Sequence, residues 1–135
     1  MKVTAIVEKG SDGLYSIYSD DSIGRDYFGG YGDNVEAAKA DFMASIKEAI
    51  ENAKKDGFDN VPVFEAVSVE FKYDIPSFFD YFDFINVSRF AVFAGINESK
   101  MRAYKSGSAF PSERTTKKIL KAVQTIGREM CASTF

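Results

Sequence analysis

The sequence predicts an α+β fold in two parts, an α+β layer over residues 1–74 and an all-helical domain over residues 75–135. Strand-like segments and one long helical pattern occupy the first part, whereas only helical patterns follow it. The charge also reverses along the chain. Residues 1–86 hold 8 Lys+Arg against 17 Asp+Glu, a net of −9, and residues 87–135 hold 9 against 3, a net of +6. This asymmetry indicates a basic module attached to an acidic one.

Three strands are expected to open the chain. Residues 3–8 and 14–19 are rich in β-branched and aromatic residues, and the turn-forming cluster 9–13 between them predicts a hairpin. A third strand is expected within residues 25–31, where the adjacent pair Gly29 and Gly30 indicates a bulge.

One helix and a fourth strand complete the first part. Asp33, followed three residues later by Glu36, is typical of a capping box at a helix start, and the helix is expected to reach Gly57. The alternation of residues 63–73 predicts a half-buried strand. The apolar stripe of the helix should cover one face of the sheet, with a solvated face opposite. The stripe consists of Ala38, Phe42, Ile46, Ala49 and Ala53, and the solvated face of Glu36, Lys39, Lys47, Glu51 and Lys54.

The segment of residues 75–85 reads IPSFFDYFDFI and predicts the first helix of the second part. Pro76 suits a first helical turn. The apolar residues that follow lie on one side of the helix, which favours burial in the core of that domain. A membrane-docking stripe is the alternative, but Asp80 and Asp83 would then face an anionic surface. The apolar residues are Phe78, Phe79, Phe82 and Ile85.

Two short helices joined by a glycine turn follow, which is the arrangement of a helix-turn-helix. Asn86 can cap the first helix, and Gly95 supplies the left-handed conformation that ends a helix at low cost. Asn97 can cap the second helix, which is expected to bury Met101 and Tyr104.

The outward side of the second helix, which should end near Gly107, suits a recognition helix in the major groove of DNA. Its short polar and basic side chains can reach base edges and phosphates. For the basic residues the alternative is an ordinary solvated helix face, but the surrounding pattern favours DNA contact. The predicted DNA-binding residues are Arg89, Asn97, Glu98, Ser99, Lys100, Arg102 and Lys105.

The last helix carries an apolar stripe that predicts a contact between two copies of the chain. Proteins with a helix-turn-helix usually read two half-sites roughly 34–36 Å apart, so a homodimer or a higher oligomer is expected. Lys117, Lys118 and Lys121 are interpreted as an exposed face of this helix. The predicted dimer interface consists of Ile119, Val123, Ile126 and Met130.

The residue inventory excludes much catalytic chemistry. The chain has no histidine and one cysteine, Cys131, which removes Cys/His zinc sites, Ser-His and Cys-His catalysis and disulfide frameworks. We expect no enzyme, no cofactor and no metal. A metal-dependent nuclease is the alternative, but its aspartates lack a defined ligand spacing and are explained by loop and capping roles. These aspartates are Asp20, Asp21, Asp26 and Asp33.

The expected location is the cytoplasm. The apolar stretch at the N-terminus meets Glu8 too early for a signal peptide. No apolar run approaches the roughly 20 residues that a membrane span needs, so no membrane association is expected.

These residues resemble a known family. Residues 85–127, with the runs GINESKMRAYKSG and PSERTTKKI, look like a Cro/repressor-type helix-turn-helix domain, and the helix entry GDNVEAA at residues 32–38 is similar to that of HicB antitoxins. The resemblance implies a type II antitoxin. Its partial RNase H-like N-terminal domain, β-β-β-α-β, would inhibit a HicA-type toxin, a small basic protein that cleaves mRNA. Its C-terminal domain would bind operator DNA and repress its own operon.

Two points stay open beside this resemblance. Val87 stands where many repressor-type domains carry a glutamine that contacts the operator. Either the helix start contacts DNA differently here, or the readout rests on residues 97–102. A stand-alone transcriptional regulator with an N-terminal ligand-sensing domain is the alternative function.

Overall fold

A computed structural model describes the whole chain, Met1–Phe135, and shows an α+β protein with a four-stranded sheet and five α-helices. The predicted α+β class is confirmed. The chain forms two compact units, Met1–Tyr81 and Phe82–Phe135. The first unit contains β1 (Lys2–Lys9), β2 (Tyr15–Ile23), β3 (Asp26–Gly32), α1 (Val35–Lys55), β4 (Ser68–Tyr73) and α2 (Ile75–Tyr81). The second contains α3 (Val87–Ala94), α4 (Glu98–Ser106) and α5 (Glu113–Ala132).

The sheet has the strand order β3-β2-β1-β4, in which β1 pairs antiparallel with β2 and parallel with β4. The predicted bulge lies elsewhere, because the register shifts in β2, between Tyr18 and Ser22. There the side chain of Asp21 accepts hydrogen bonds from Ser19 Oγ and from the backbone N–H of Thr4, which replace regular strand pairing. Strand β4 is also shorter than predicted, because residues 64–66 form a 3₁₀ turn.

Helix α1 covers one face of the sheet with the predicted stripe, since Ala38, Phe42, Ile46, Ala49 and Ala53 are all buried. The helix begins one residue later than a cap at Asp33 would place it. Asn34 is extended, and its side chain accepts the backbone N–H of Ala37 at 2.7 Å. Asn34 therefore serves as the N-cap, and the predicted capping box from Asp33 is wrong.

Two glycines of β3 let the helix approach the sheet closely. A Cβ atom on Gly30 would lie 2.5 Å from the carbonyl oxygen of Ala38 and 2.5 Å from the backbone nitrogen of Phe42. A Cβ atom on Gly32 would lie 2.5 Å from the nitrogen of Ala38. Since no side chain fits at such distances, these glycines serve helix packing.

Helix α2 belongs to the first unit and not, as predicted from the sequence, to the helical domain. The Lys9 ammonium donates to the Asp80 carboxylate at 2.9 Å, and the Tyr15 hydroxyl donates to the same carboxylate. Asp74 accepts the backbone N–H of Lys9 at 3.0 Å, and Phe79 is buried. These contacts hold α2 to β1 and β2, so the boundary follows Tyr81 and not Asp74.

The second unit packs α3 against α4 and α5. Its core consists of Val87, Phe90, Ala91, Met101, Ile119 and Ala122. None of the helices in the chain combines the length and the apolar content needed to cross a membrane.

Candidate nucleic-acid interface

A three-residue turn joins α3 to α4. Gly95 adopts the left-handed conformation with φ of 71°, as the sequence predicted. Its N–H donates to Val92 O at 3.2 Å, and the N–H of Ile96 donates to Ala91 O at 2.9 Å. These bonds satisfy the last carbonyls of α3 and redirect the chain within three residues, so the start of α4 follows closely on the end of α3.

Both helices of the pair are capped by the predicted asparagines. Asn86 accepts the backbone N–H of Arg89 at 3.0 Å, and Asn97 accepts that of Lys100 at 3.1 Å. Met101 is fully buried, whereas Tyr104 is only half-buried. The caps and the buried Met101 fix where α4 begins and which side it turns outward.

The predicted DNA-binding residues lie mainly on the exposed side of α4. Lys105 is half-buried and the others are exposed. Glu98, Ser99 and Lys100 form the first turn of α4, where the backbone N–H groups and the helix dipole favour an anion. The exposed members are Arg89, Asn97, Glu98, Ser99, Lys100 and Arg102.

Arg102 is the most constrained of these side chains. Its guanidinium donates to Ser88 Oγ and to Ser99 Oγ, both at 3.2 Å, and lies 3.8 Å from Glu98 Oε2. Ser88 belongs to α3, so this arginine bridges the two helices. Ser88 could not be predicted as a partner of Arg102, because no local signal links it to a residue 14 positions later. Arg102 thus presents an oriented, exposed guanidinium beside the start of α4.

The charge around this surface is positive. Phe82–Phe135 holds 9 Lys+Arg against 4 Asp+Glu, a net of +5, and Met1–Tyr81 holds 8 against 16, a net of −8. Of the acidic residues in the second unit, Glu113 is paired with Lys117 at 3.6 Å on the surface of α5. The surface can therefore attract a polyanion through long-range electrostatics.

The predicted dimer stripe on α5 is divided between core and surface. Ile119 is 3% exposed and lies in the core of its own unit, so it is not available to a second copy. Val123 and Ile126 are half-buried, and Met130 is 63% exposed. Leu120, which is not part of the predicted stripe, is 54% exposed. The exposed large apolar side chains of α5 are therefore Leu120 and Met130, whereas Ile119 belongs to the core.

Two side-chain clusters in the first unit were also missed. Lys39 was expected in solvent, but its Nζ lies 4.0 Å from the ring centre of Tyr81 and 4.4 Å from that of Phe71. At the base of α2, the hydrogen bond to Asp80 raises the pKa of Lys9, and burial followed by its own bond to Asp80 raises the pKa of Tyr15. Each cluster joins residues distant in sequence, so periodicity could not reveal it.

Two of the four aspartates considered for a nuclease have separate partners. Asp21 accepts from Thr4 and Ser19, whereas Asp26 accepts from Asn52 of α1 at 2.9 Å. The structure groups no three His, Cys, Asp or Glu side chains that could hold a metal ion.

Comparison with known proteins gave no match to this chain, whether with protein-family models, with curated proteins or with solved structures.

Proposed function

We propose that the protein is an antitoxin of the HicB type that represses its own operon by sequence-specific DNA binding. The observation that carries the proposal is the pair α3–α4, with its short glycine turn and the oriented guanidinium of Arg102 at the exposed start of α4. A capped second helix with small polar and basic side chains outward has the form of a recognition helix. Under this proposal the two helices form a helix-turn-helix that enters the major groove.

The DNA contacts would divide between base edges and phosphates. Arg102 can bind guanine through two parallel hydrogen bonds, and Asn97 and Ser99 can reach neighbouring base edges. Lys100 and Arg89 would bind phosphates, which position the protein without reading sequence. Val87 is buried and so makes no base contact, which favours readout by residues 97–102 over the start of α3.

The acidic first unit would inhibit a HicA-type toxin. Its element order, β-β-β-α-β followed by α2, supports a partial RNase H-like domain of the kind that the resemblance implies. The net charge of −8 on Met1–Tyr81 is complementary to a small basic protein that binds RNA. Inhibition would follow if the unit covered the RNA-binding surface of the toxin.

Binding of the full chain to DNA from upstream of its own gene, measured over a salt series, tests the repressor function. We expect selective binding that weakens with salt, and Arg102→Ala should lower affinity by about 1–3 kcal/mol and relax the sequence preference. Ser88→Ala should lower affinity less, because it leaves the charge and removes only one positioning contact. Lys121→Ala on the exposed face of α5 is the control. Arg102→Ala binding no worse than Lys121→Ala would refute the recognition surface.

Protection of RNA from the toxin encoded beside this gene tests the antitoxin function. The full chain should prevent cleavage at equimolar concentration, and Arg102→Ala should protect equally well because it lies in the other unit. Selective DNA binding without RNA protection would support a stand-alone regulator instead.

A further inference from the structure

The open face of the sheet carries three exposed tyrosines. Side chains alternate between the two faces of a strand, and Tyr18, Tyr27 and Tyr31 point away from α1. They are 41%, 70% and 72% exposed. Helix α2, like α1, lies on the other face of the sheet, where it contacts Tyr15 and Tyr73. Neither helix of the first unit lies over these rings.

Gly29 leaves a notch between the three rings. It lies opposite Tyr18 in the register of β2 and β3, and Tyr27 and Tyr31 flank it two positions away on the same face. A Cβ atom on Gly29 would meet nothing closer than Ile17 O, at 3.8 Å. Packing therefore does not require a glycine at position 29, whereas it does at Gly30. A larger side chain would fit the fold and fill the notch.

The surroundings of the notch are acidic. The hydroxyl of Tyr18 donates to Glu8 Oε1 at 3.2 Å, and this bond, with a smaller effect of the nearby Asp20 charge, raises the pKa of Tyr18. Strands β2 and β3 contain no lysine and no arginine. Aromatic faces and carboxylates together attract cations, and a guanidinium can stack on tyrosine while it donates to carboxylate oxygens.

We infer that the notch above Gly29 binds an arginine side chain of the basic toxin and anchors the toxin on the open face of the sheet. This inference rests on the proposed antitoxin function and names its contact surface. Tyrosines supply contact area at low conformational-entropy cost, and arginine held among aromatic rings is typical of an interface hot spot. Exposed tyrosines also stack on nucleic-acid bases, but Glu8 and Asp20 would repel the phosphates.

Calorimetric titration of the full chain with the adjacent toxin, inactivated by replacement of its catalytic residue, tests the inference. Gly29→Val fills the notch with a residue of high β-propensity, and Tyr31→Ala removes one wall. Phe110→Ala, at an aromatic residue 86% exposed in the second unit, is the matched control. We expect both notch variants to weaken toxin binding at least about tenfold, as loss of a hot spot does. The control should bind normally, and all three variants should retain wild-type DNA affinity.

The possible outcomes distinguish a failure of the proposed notch from a failure of the proposed antitoxin function. Toxin binding at wild-type strength by Gly29→Val would overturn the inference and leave the antitoxin function standing. If that variant failed to fold, Tyr31→Ala would decide by the same criterion. Failure of the unaltered chain to bind toxin, or absence of such a toxin gene, would overturn the antitoxin function itself. A single-stranded RNA oligonucleotide that binds the unaltered chain but not Tyr31→Ala, with toxin binding intact, would assign the tyrosines to nucleic acid.

Discussion

Gly29 and Gly30 are neighbours on β3, but the sheet gives them opposite tolerance to a side chain. At Gly30 an added methyl group collides with the backbone of α1 at Ala38 and Phe42, atoms that cannot move without shifting the helix. At Gly29 the methyl group meets only ordinary van der Waals contact. We expect Gly30→Ala to lower the free energy of unfolding by about 1–3 kcal/mol or more, as overpacking does. Gly29→Ala should change it by no more than about 0.5 kcal/mol.

Urea denaturation followed by circular dichroism measures both changes. Equal destabilisation by the two variants would contradict a packing role specific to Gly30.

The role of a residue could be predicted from the sequence where its partner is close in sequence, and could not where its partner is distant in sequence. The side chains of Asn86 and Asn97 each accept a hydrogen bond from the backbone N–H three positions later, so the local sequence is enough to predict these caps. Asp33 and Asn34 are both good capping residues, and the backbone geometry that selects Asn34 depends on how β3 enters the helix. The partner of Arg102 on α3 and the atoms facing Gly30 are set by packing alone.

Helix α2 shows the same limit at the scale of an element. Its aromatic spacing predicted a helix over residues 75–85, but the helix ends at Tyr81, and of the predicted side only Phe79 is buried. Spacing also does not say which domain buries that residue. The deciding contacts lie far away in sequence, since Asp80 is 65 residues from Tyr15 and 71 from Lys9. Strand existence was predicted well because alternation is local, whereas the bulge was misplaced because it depends on cross-strand hydrogen bonds.

The contact between α2 and the sheet should weaken in alkali. The folded-state pKa values of Lys9 and Tyr15 are raised, so the folded protein binds these protons more tightly than the unfolded chain. The stabilisation is complete below the unfolded values, roughly 10 for both groups, and is lost as pH rises through the folded values. We expect the free energy of unfolding to fall above about pH 10.

Urea midpoints from pH 8 to pH 11 measure this fall. Tyr15→Phe removes one of the groups whose pKa is raised in the folded state and should flatten the fall, whereas Tyr27→Phe on the open face should not. Identical pH profiles for the wild type and Tyr15→Phe would contradict the assignment.

For the whole molecule, the position of α2 predicts where the chain can be divided. A fragment of residues 1–81 retains Phe79 and Asp80, and should unfold cooperatively by itself. A fragment of residues 1–74 loses both and should be less stable by at least about 2 kcal/mol, because burial of one Phe side chain alone contributes about 1.5–3 kcal/mol. Thermal unfolding of the two fragments makes the comparison. Equal stability would return the boundary to residue 74.

Assembly is the last property at this scale, and it depends on which face of α5 is free. Leu120 and Met130 are exposed and lie on one side of the helix with Val123, and Gly127 between them leaves room for a second helix to approach. The proposed recognition of two half-sites needs two copies, so we expect a dimer formed along this side. Leu120→Glu and Met130→Glu should each shift the protein to a monomer in light scattering and weaken operator binding at least about tenfold.

Lys118→Ala is the matched control, because it lowers the net charge by one unit, as each glutamate variant does, at an exposed position on the same helix. It should remain dimeric, and its affinity for operator DNA should fall only slightly, because one distant positive charge is lost. Both glutamate variants change exposed positions, so the monomers should stay folded and keep wild-type thermal stability within each unit. A wild-type monomer would contradict the dimer itself, and a Leu120→Glu protein that remains dimeric would show that the two copies do not meet along α5.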